Sequence, residues 1–168
     1  HNGRRRQRQM CIRDSCNAEN IDIKKISPNF IISLINKWKN FGWYPENVVL
    51  RKSENLEKNL LKIYKIYQTK LTDLNACDFG DLILHCVSIF EKNQDINEMY
   101  SKNFKYILVD EYQDTNFIQS KWLKLLTKNH DNICCVGDDD QSIYSWRGAE
   151  IKNFLEFDKI YNLSLIHI

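Results

Sequence analysis

Two clusters of acidic and amide side chains carry most of the chemistry open to this sequence. Asp110-Glu111-Tyr112-Gln113-Asp114 follows the apolar run Tyr106-Ile107-Leu108-Val109, and Gly137-Asp138-Asp139-Asp140-Gln141 follows Ile133-Cys134-Cys135-Val136. Clustered carboxylates bind hard cations through oxygen. If both apolar runs are strands of one sheet, the clusters share an edge and repel one another unless a cation or a polarised ligand lies between them. A hydrated Mg2+ held through one or two carboxylates, together with nucleotide phosphates, meets that need.

The elements around these clusters must place them at one edge. Short uninterrupted apolar runs suit strands buried on both faces. Between them, Phe117 to Lys128 carries Ile118, Trp122, Leu125 and Leu126 at helix spacing, so strand, helix and strand form a β-α-β unit with parallel strands and a right-handed crossover. In an open α/β sheet, ligands bind beyond the carboxyl ends of the strands, which is where both acidic clusters fall.

Upstream the pattern is helical. Ser27 predicts an N-cap with Pro28 in the first turn, and Phe30, Ile31, Leu34, Ile35 and Trp38 form an apolar stripe that Gly42 and Pro45 end. A second helix is expected from near Ser53, with Leu56, Leu60, Ile63, Tyr64, Tyr67, Leu71 and Leu74 inward and a Lys/Glu-rich face in solvent. A third should start at Asp78, whose carboxylate can accept from first-turn amides. Phe79, Leu82, Ile83, Cys86, Ile89 and Phe90 are expected to face a core.

Composition sets limits. The chain has 168 residues, 43% hydrophobic and 27% charged, which fits globular structure and excludes wholesale disorder. A net charge of +2 is too small to announce a polyanion partner by itself. The six cysteines include no C-x-x-C pair, so reduced thiols are expected and no metal site. No apolar stretch approaches the roughly 20 residues of a membrane span, and the expected location is cytoplasmic. The basic run Arg4-Arg5-Arg6-Gln7-Arg8-Gln9 could be a nucleic-acid-binding arm. The run through Ser15 and the terminal Leu163 to Ile168 resemble translated adapter sequence instead, so residues 1–16 and 163–168 are set aside as non-native tails.

An apolar strand ending in Asp-Glu has the form of a Walker B element, in which Asp110 orders the metal and Glu111 polarises a water for attack on a γ-phosphate. An exposed acidic turn after a strand would give the same letters. The longer strings are more specific: Asp110 to Asn116 reads DEYQDTN, and Gly137 to Ala149 reads GDDDQSIYSWRGA. In letters, order and spacing both resemble motifs of superfamily 1 DNA helicases of the UvrD/Rep/PcrA type. Asp78-Phe79-Gly80-Asp81-Leu82 looks like a D-F-x-D-L helix start of the same family, with Gly80 where an acid is common.

The resemblance implies an α/β fold: part of a RecA-like P-loop NTPase parallel sheet (76–162), preceded by a helical insertion subdomain (17–75). It implies Asp110 as a Mg2+ ligand, Glu111 as catalytic base and Gln141 as sensor of the γ-phosphate and attacking water. Gln113, Asp114 and Asp138 would couple the ATP site to neighbouring motifs. Tyr144, Trp146 and Arg147 would contact single-stranded DNA, since aromatic faces stack on bases and Arg attracts phosphate; Tyr112 is read as a packing residue. The implied activity is Mg-ATP hydrolysis coupled to translocation on single-stranded DNA and duplex unwinding, 3' to 5', with ATP and DNA junctions as partners. The sequence has no G-x-x-x-x-G-K-[ST] phosphate loop, so the chain is expected to be an inactive part of a longer enzyme. A helicase subunit of a recombination helicase-nuclease, and a non-catalytic short protein that binds DNA or a partner, stay open as alternatives.

Overall fold

The computed structural model describes residues 2–18, 26–50, 55–142, 149 and 151–161. Among them the elements run α1 (Asn2–Ala18), α2 (Pro28–Asn40), α3 (Asn55–Asp73), α4 (Phe79–Lys92), α5 (Gln94–Asn103), β1 (Ile107–Val109), α6 (Phe117–Leu126), β2 (Ile133–Cys135), α7 (Ile151–Leu155) and α8 (Phe157–Tyr161). They form two compact units, His1–Asp81 and Leu82–Ile168.

The first unit is helical. The Ser27 side chain caps α2 by accepting from the Phe30 amide at 3.2 Å, as the Ser-Pro start predicts. Its core joins Ile31, Ile35 and Trp38 of α2 to Leu60, Ile63, Tyr64, Tyr67 and Leu71 of α3. Phe30, Leu56 and Leu74, expected inside, are exposed at the ends of their stripes. The basic segment set aside on sequence grounds forms α1, with Ile12, Ser15 and Cys16 buried. Its inward side is a short i, i+4 stripe, Ile12 and Cys16, preceded by the partly buried Arg8 and too sparse to register as apolar periodicity.

A buried ionic cluster holds the end of this unit. Lys39 is fully enclosed and reaches Asp78 Oδ2 at 2.9 Å and Asp81 Oδ1 at 2.7 Å. Tyr67 donates to Asp78 at 2.9 Å, Gln68 to Asp81 at 3.0 Å, and Arg8 lies 3.1 Å from Asp78. Asp78 and Asp81 also accept from each other's backbone N–H groups at 3.0 Å, a reciprocal cap on α4. These bonds hold the start of α4 within the first unit, which extends to Asp81. They also explain Gly80: a Cβ there would lie 2.9 Å from Lys39 Cδ, so the missing acid leaves room for the buried lysine.

In the second unit β1 and β2 pair in parallel, with Ile107 opposite Ile133, Leu108 opposite Cys134 and Val109 opposite Cys135. Ile107, Val109, Ile133 and Cys135 face a core of Tyr112, Leu123, Phe157 and Tyr161. The opposite face departs from the expectation of two-sided burial, for Leu108 is 83% exposed and Cys134 is exposed beside it. The side chains facing inward on α4 are Leu84, Val87 and Phe90. Phe79, Leu82, Cys86 and Ile89 lie outward, because the helix carries two apolar stripes and i, i+3 spacing alone does not say which one is covered. The sequence reading did not assign α5; its Asn97 is buried and donates to the Leu125 carbonyl of α6 at 2.8 Å.

Removing the ammonium from the Lys39 cluster strands two carboxylates, so Lys39→Met should cost about 3 kcal/mol or more in urea unfolding. Burial raises the proton affinity of Asp78, and the Lys39 and Arg8 charges outweigh it, leaving the carboxyl below its ordinary value of 3.8. A depressed carboxyl stabilises the fold above its unfolded pKa and loses that contribution as pH falls through the folded value. The unfolding midpoint should therefore drop below about pH 4, with a shallower acid limb in Asp78→Asn.

Candidate active site

The site is built where β1 and β2 end. Beyond the ladder, Val136 N–H donates to the Val109 carbonyl at 2.8 Å and Tyr112 N–H donates to the Val136 carbonyl at 3.0 Å. This pairing carries Asp110 and Glu111 to the same edge as Gly137 and Asp138. Glu111 then adopts a left-handed backbone, φ 51° and ψ 43°, which for a non-glycine residue costs on the order of 1–2 kcal/mol. The bend starts a 3-10 turn over Tyr112–Asp114. Thr115 ends it, its N–H donating to the Tyr112 carbonyl at 3.1 Å, and Asn116 caps α6 in a reciprocal box with Gln119, through bonds of 3.0 and 2.9 Å.

A continuous line of hydrogen bonds crosses this edge. Asp110 Oδ1 accepts from Glu111 N–H at 2.9 Å, and Glu111 Oε2 accepts from the Gln113 side-chain amide at 2.6 Å. Gln113 Oε1 accepts from Asp138 N–H at 3.1 Å. Asp138 Oδ2 accepts from the Gln141 amide at 2.7 Å, while its Oδ1 accepts from Asp140 N–H at 3.0 Å. Asp110, Glu111, Asp138 and Gln141 are exposed, and Gln113 is buried beneath them. Asp114 is half-buried, and its Oδ1 has no hydrogen-bond partner among the described residues.

The structure thus brings Asp110, Glu111, Gln113, Asp138 and Gln141 onto one sheet edge, with Asp114 in the adjoining turn. Tyr144, Trp146 and Arg147 lie outside the described residues. The far end of their segment is fixed by an antiparallel bridge between Asn116 and Ala149, so the two motif strings meet at both ends. Gly137 has no role assigned from the sequence beyond its place in the motif string, and Phe154 has none. A Cβ on Gly137 would collide with Gln113 Oε1 and lie 2.9 Å from Phe154 Cε2. Only the packing of the Gln113 and Phe154 side chains against this residue reveals it; the letter G alone does not.

The neighbouring groups are chemically quiet. Burial pushes up the phenol of Tyr112, which packs edge-on against Phe157 with ring centroids 5.4 Å apart, in keeping with a packing role. Burial first and Cys134 second push the Cys135 thiol up to about 12, so it stays protonated at neutral pH. No group of three His, Cys, Asp or Glu side chains among the described residues could hold a metal alone. The oxygen donors of Asp110 and Glu111 fit instead a largely hydrated Mg2+ that takes its remaining ligands from water and phosphate.

Comparison with known proteins gives the family. The profile described as UvrD/REP helicase N-terminal domain matches residues 3–162. The chain belongs to that family. Its relatives include a DNA helicase II of Rickettsia typhi, 45% identical over 142 residues, covering 84% of this chain and 22% of the relative. The ATP-dependent DNA helicase PcrA of Staphylococcus epidermidis is 42% identical over 150 residues, covering 89% of this chain and 21% of that protein. PcrA of Staphylococcus aureus gives 42% over 150 residues, with 89% and 20% covered. The chain therefore spans about a fifth of the length of these relatives. This member of the family carries two acidic strings, Asp110–Asp114 and Gly137–Gln141, at one sheet edge. No helix among the described residues is long and apolar enough to cross a membrane.

With only one or two carboxylates available per ion, the chain alone should bind divalent cations no tighter than the millimolar range. Titration with Mn2+ should broaden the Asp110 and Glu111 resonances selectively, and Asp110→Asn should remove the effect. Saturation at micromolar Mn2+ would contradict this donor count.

Proposed function

We propose that the chain is the motif-bearing part of an ATP-dependent DNA helicase, the end of its first RecA-like domain preceded by most of a helical insertion. The observation that carries this reading is the shared edge: one hydrogen-bonded line runs from Asp110 through Glu111, Gln113 and Asp138 to Gln141. Asp110 would hold Mg2+, which when bound neutralises phosphate charge. Glu111, exposed and braced by Gln113, accepts a proton from the attacking water. Gln141 has an amide that can donate and accept at once, which suits sensing of the γ-phosphate and that water. Asp138 ties the two strings together through Gln113, and Asp114, in the adjoining turn, would couple the site to neighbouring motifs.

The coupling follows from covalent proximity. Gln141 and the DNA-facing Tyr144, Trp146 and Arg147 share one short segment, so a shift after γ-phosphate loss moves a base-stacking surface with it. Repeated shifts would step single-stranded DNA and open the duplex ahead, in the 3' to 5' sense by resemblance. The sequence lacks the phosphate-binding loop that supplies most nucleotide contacts, so we propose that this chain by itself is inactive.

In the intact polypeptide, single-stranded DNA should stimulate ATP hydrolysis, and Glu111→Gln should lower kcat by about 10² to 10⁴-fold. Trp146→Ala should weaken DNA binding by about 1–3 kcal/mol, as expected for one stacked base. ATP hydrolysis by the purified 168-residue chain, abolished by Glu111→Gln, would show the inactivity proposal to be wrong.

A further inference from the structure

We propose that Gln113 is a positioning residue whose side-chain amide sets the Glu111 carboxylate against the loop after β2, with Gly137 as the seat that admits it. This deepens the helicase reading and rests on it. Gln113 is 1% exposed, and its two amide ends do different work. Its NH2 group donates to Glu111 Oε2 at 2.6 Å, and its carbonyl accepts from Asp138 N–H at 3.1 Å.

The polarity of this bridge is fixed by its ends. A carboxylate can only accept and a backbone N–H can only donate, so flipping the amide would set like against like at both contacts. Glutamate has the reach but offers no donor to Glu111 when ionised. Methionine fills the space but strands the Asp138 N–H. Asparagine is a methylene short. The amide of glutamine alone satisfies both partners at this span.

Gly137 and Glu111 supply the remaining constraints. The Gln113 carbonyl oxygen occupies the place of a Cβ on residue 137, with Phe154 closing the other side at 2.9 Å. Any side chain there displaces either the bridge or Phe154. The left-handed backbone of Glu111, at φ 51°, turns its carboxylate back toward Gln113. Because Asp138 also accepts from Gln141 at 2.7 Å, displacement of the Gln141 loop pulls directly on the Asp138 end of the bridge. The bridge makes the orientation of the base depend on the loop that carries Gln141.

The test uses the intact helicase polypeptide. Misplacing a catalytic group by about 1 Å can cost about 10²-fold in rate. Gln113→Glu should therefore lower DNA-stimulated kcat by about that factor while KM for ATP stays within about twofold. Gly137→Ala should reproduce the loss, and combining it with Gln113→Met should add little to Gln113→Met alone. In the 168-residue chain, Gln113→Met should lose exchange protection at the Asp138 amide while the Val136 and Tyr112 amides keep theirs. Unchanged kcat in Gln113→Glu, or unchanged Asp138 exchange in Gln113→Met, overturns the proposal. Absence of DNA-stimulated ATP hydrolysis in the wild-type polypeptide would instead overturn the functional reading, and amide exchange would still decide the bridge.

Discussion

The parallel pairing of β1 with β2 is the constraint from which the rest of the site follows. Each strand is short, yet the register, Ile107 to Ile133 and Val109 to Cys135, decides which residues emerge together at the carboxyl edge. A slip of one residue would turn Ile107 and Val109 away from Tyr112, Leu123 and Phe157, and would carry Glu111 away from Asp138. The core face therefore fixes the register, and the register sets the site. Side chains that touch no ligand, chiefly Ile133 and Leu123, thus determine where the carboxylates sit.

The edge is also under local tension. Glu111 holds a backbone conformation that favours glycine, Gly137 lacks space for a side chain, and Asp114 buries an oxygen without a partner among the described residues. The Glu111 backbone and the Asp114 oxygen are each unfavourable taken singly, and all three features occur within a few residues of the acidic edge. Clustering of this kind is expected where geometry serves chemistry rather than stability. The ionic cluster of the helical unit differs, because Lys39, Asp78, Asp81 and Tyr67 satisfy one another. Charge is buried there to hold a helix start, and the acids at the sheet edge stay exposed.

Legibility in the sequence followed the range of the interactions. The Ser27 cap, the α3 stripe, the β-α-β order and the acidic ends of both strands depend on residues close in the chain, and all could be read from spacing. The burial of Lys39 could not, because its partners Asp78 and Asp81 are distant in sequence and a lone lysine reads as a solvated charge. On α4, two apolar stripes compete, so periodicity predicted a helix and placed Phe90 inside correctly but chose the outward side for Phe79, Leu82, Cys86 and Ile89. The exposed face of Leu108 and Cys134 shows the same limit, since an apolar run says that a strand can be covered on both sides and not that it is. The candidate site was legible as letters at Asp110, Glu111 and Gln141. Its wiring through Gln113 and Gly137 required coordinates, because it depends on an approach between residues far apart in the chain.

The central claim is that the two acidic strings share one edge through backbone pairing beyond the ladder. Scalar couplings across hydrogen bonds report that pairing directly, because they vanish unless donor and acceptor share the bond. Couplings from the Val136 amide nitrogen to the Val109 carbonyl carbon, and from the Tyr112 amide nitrogen to the Val136 carbonyl carbon, are the expected result. Absence of both, with the Val136 and Tyr112 amides exchanging as fast as exposed loop amides, would contradict the account.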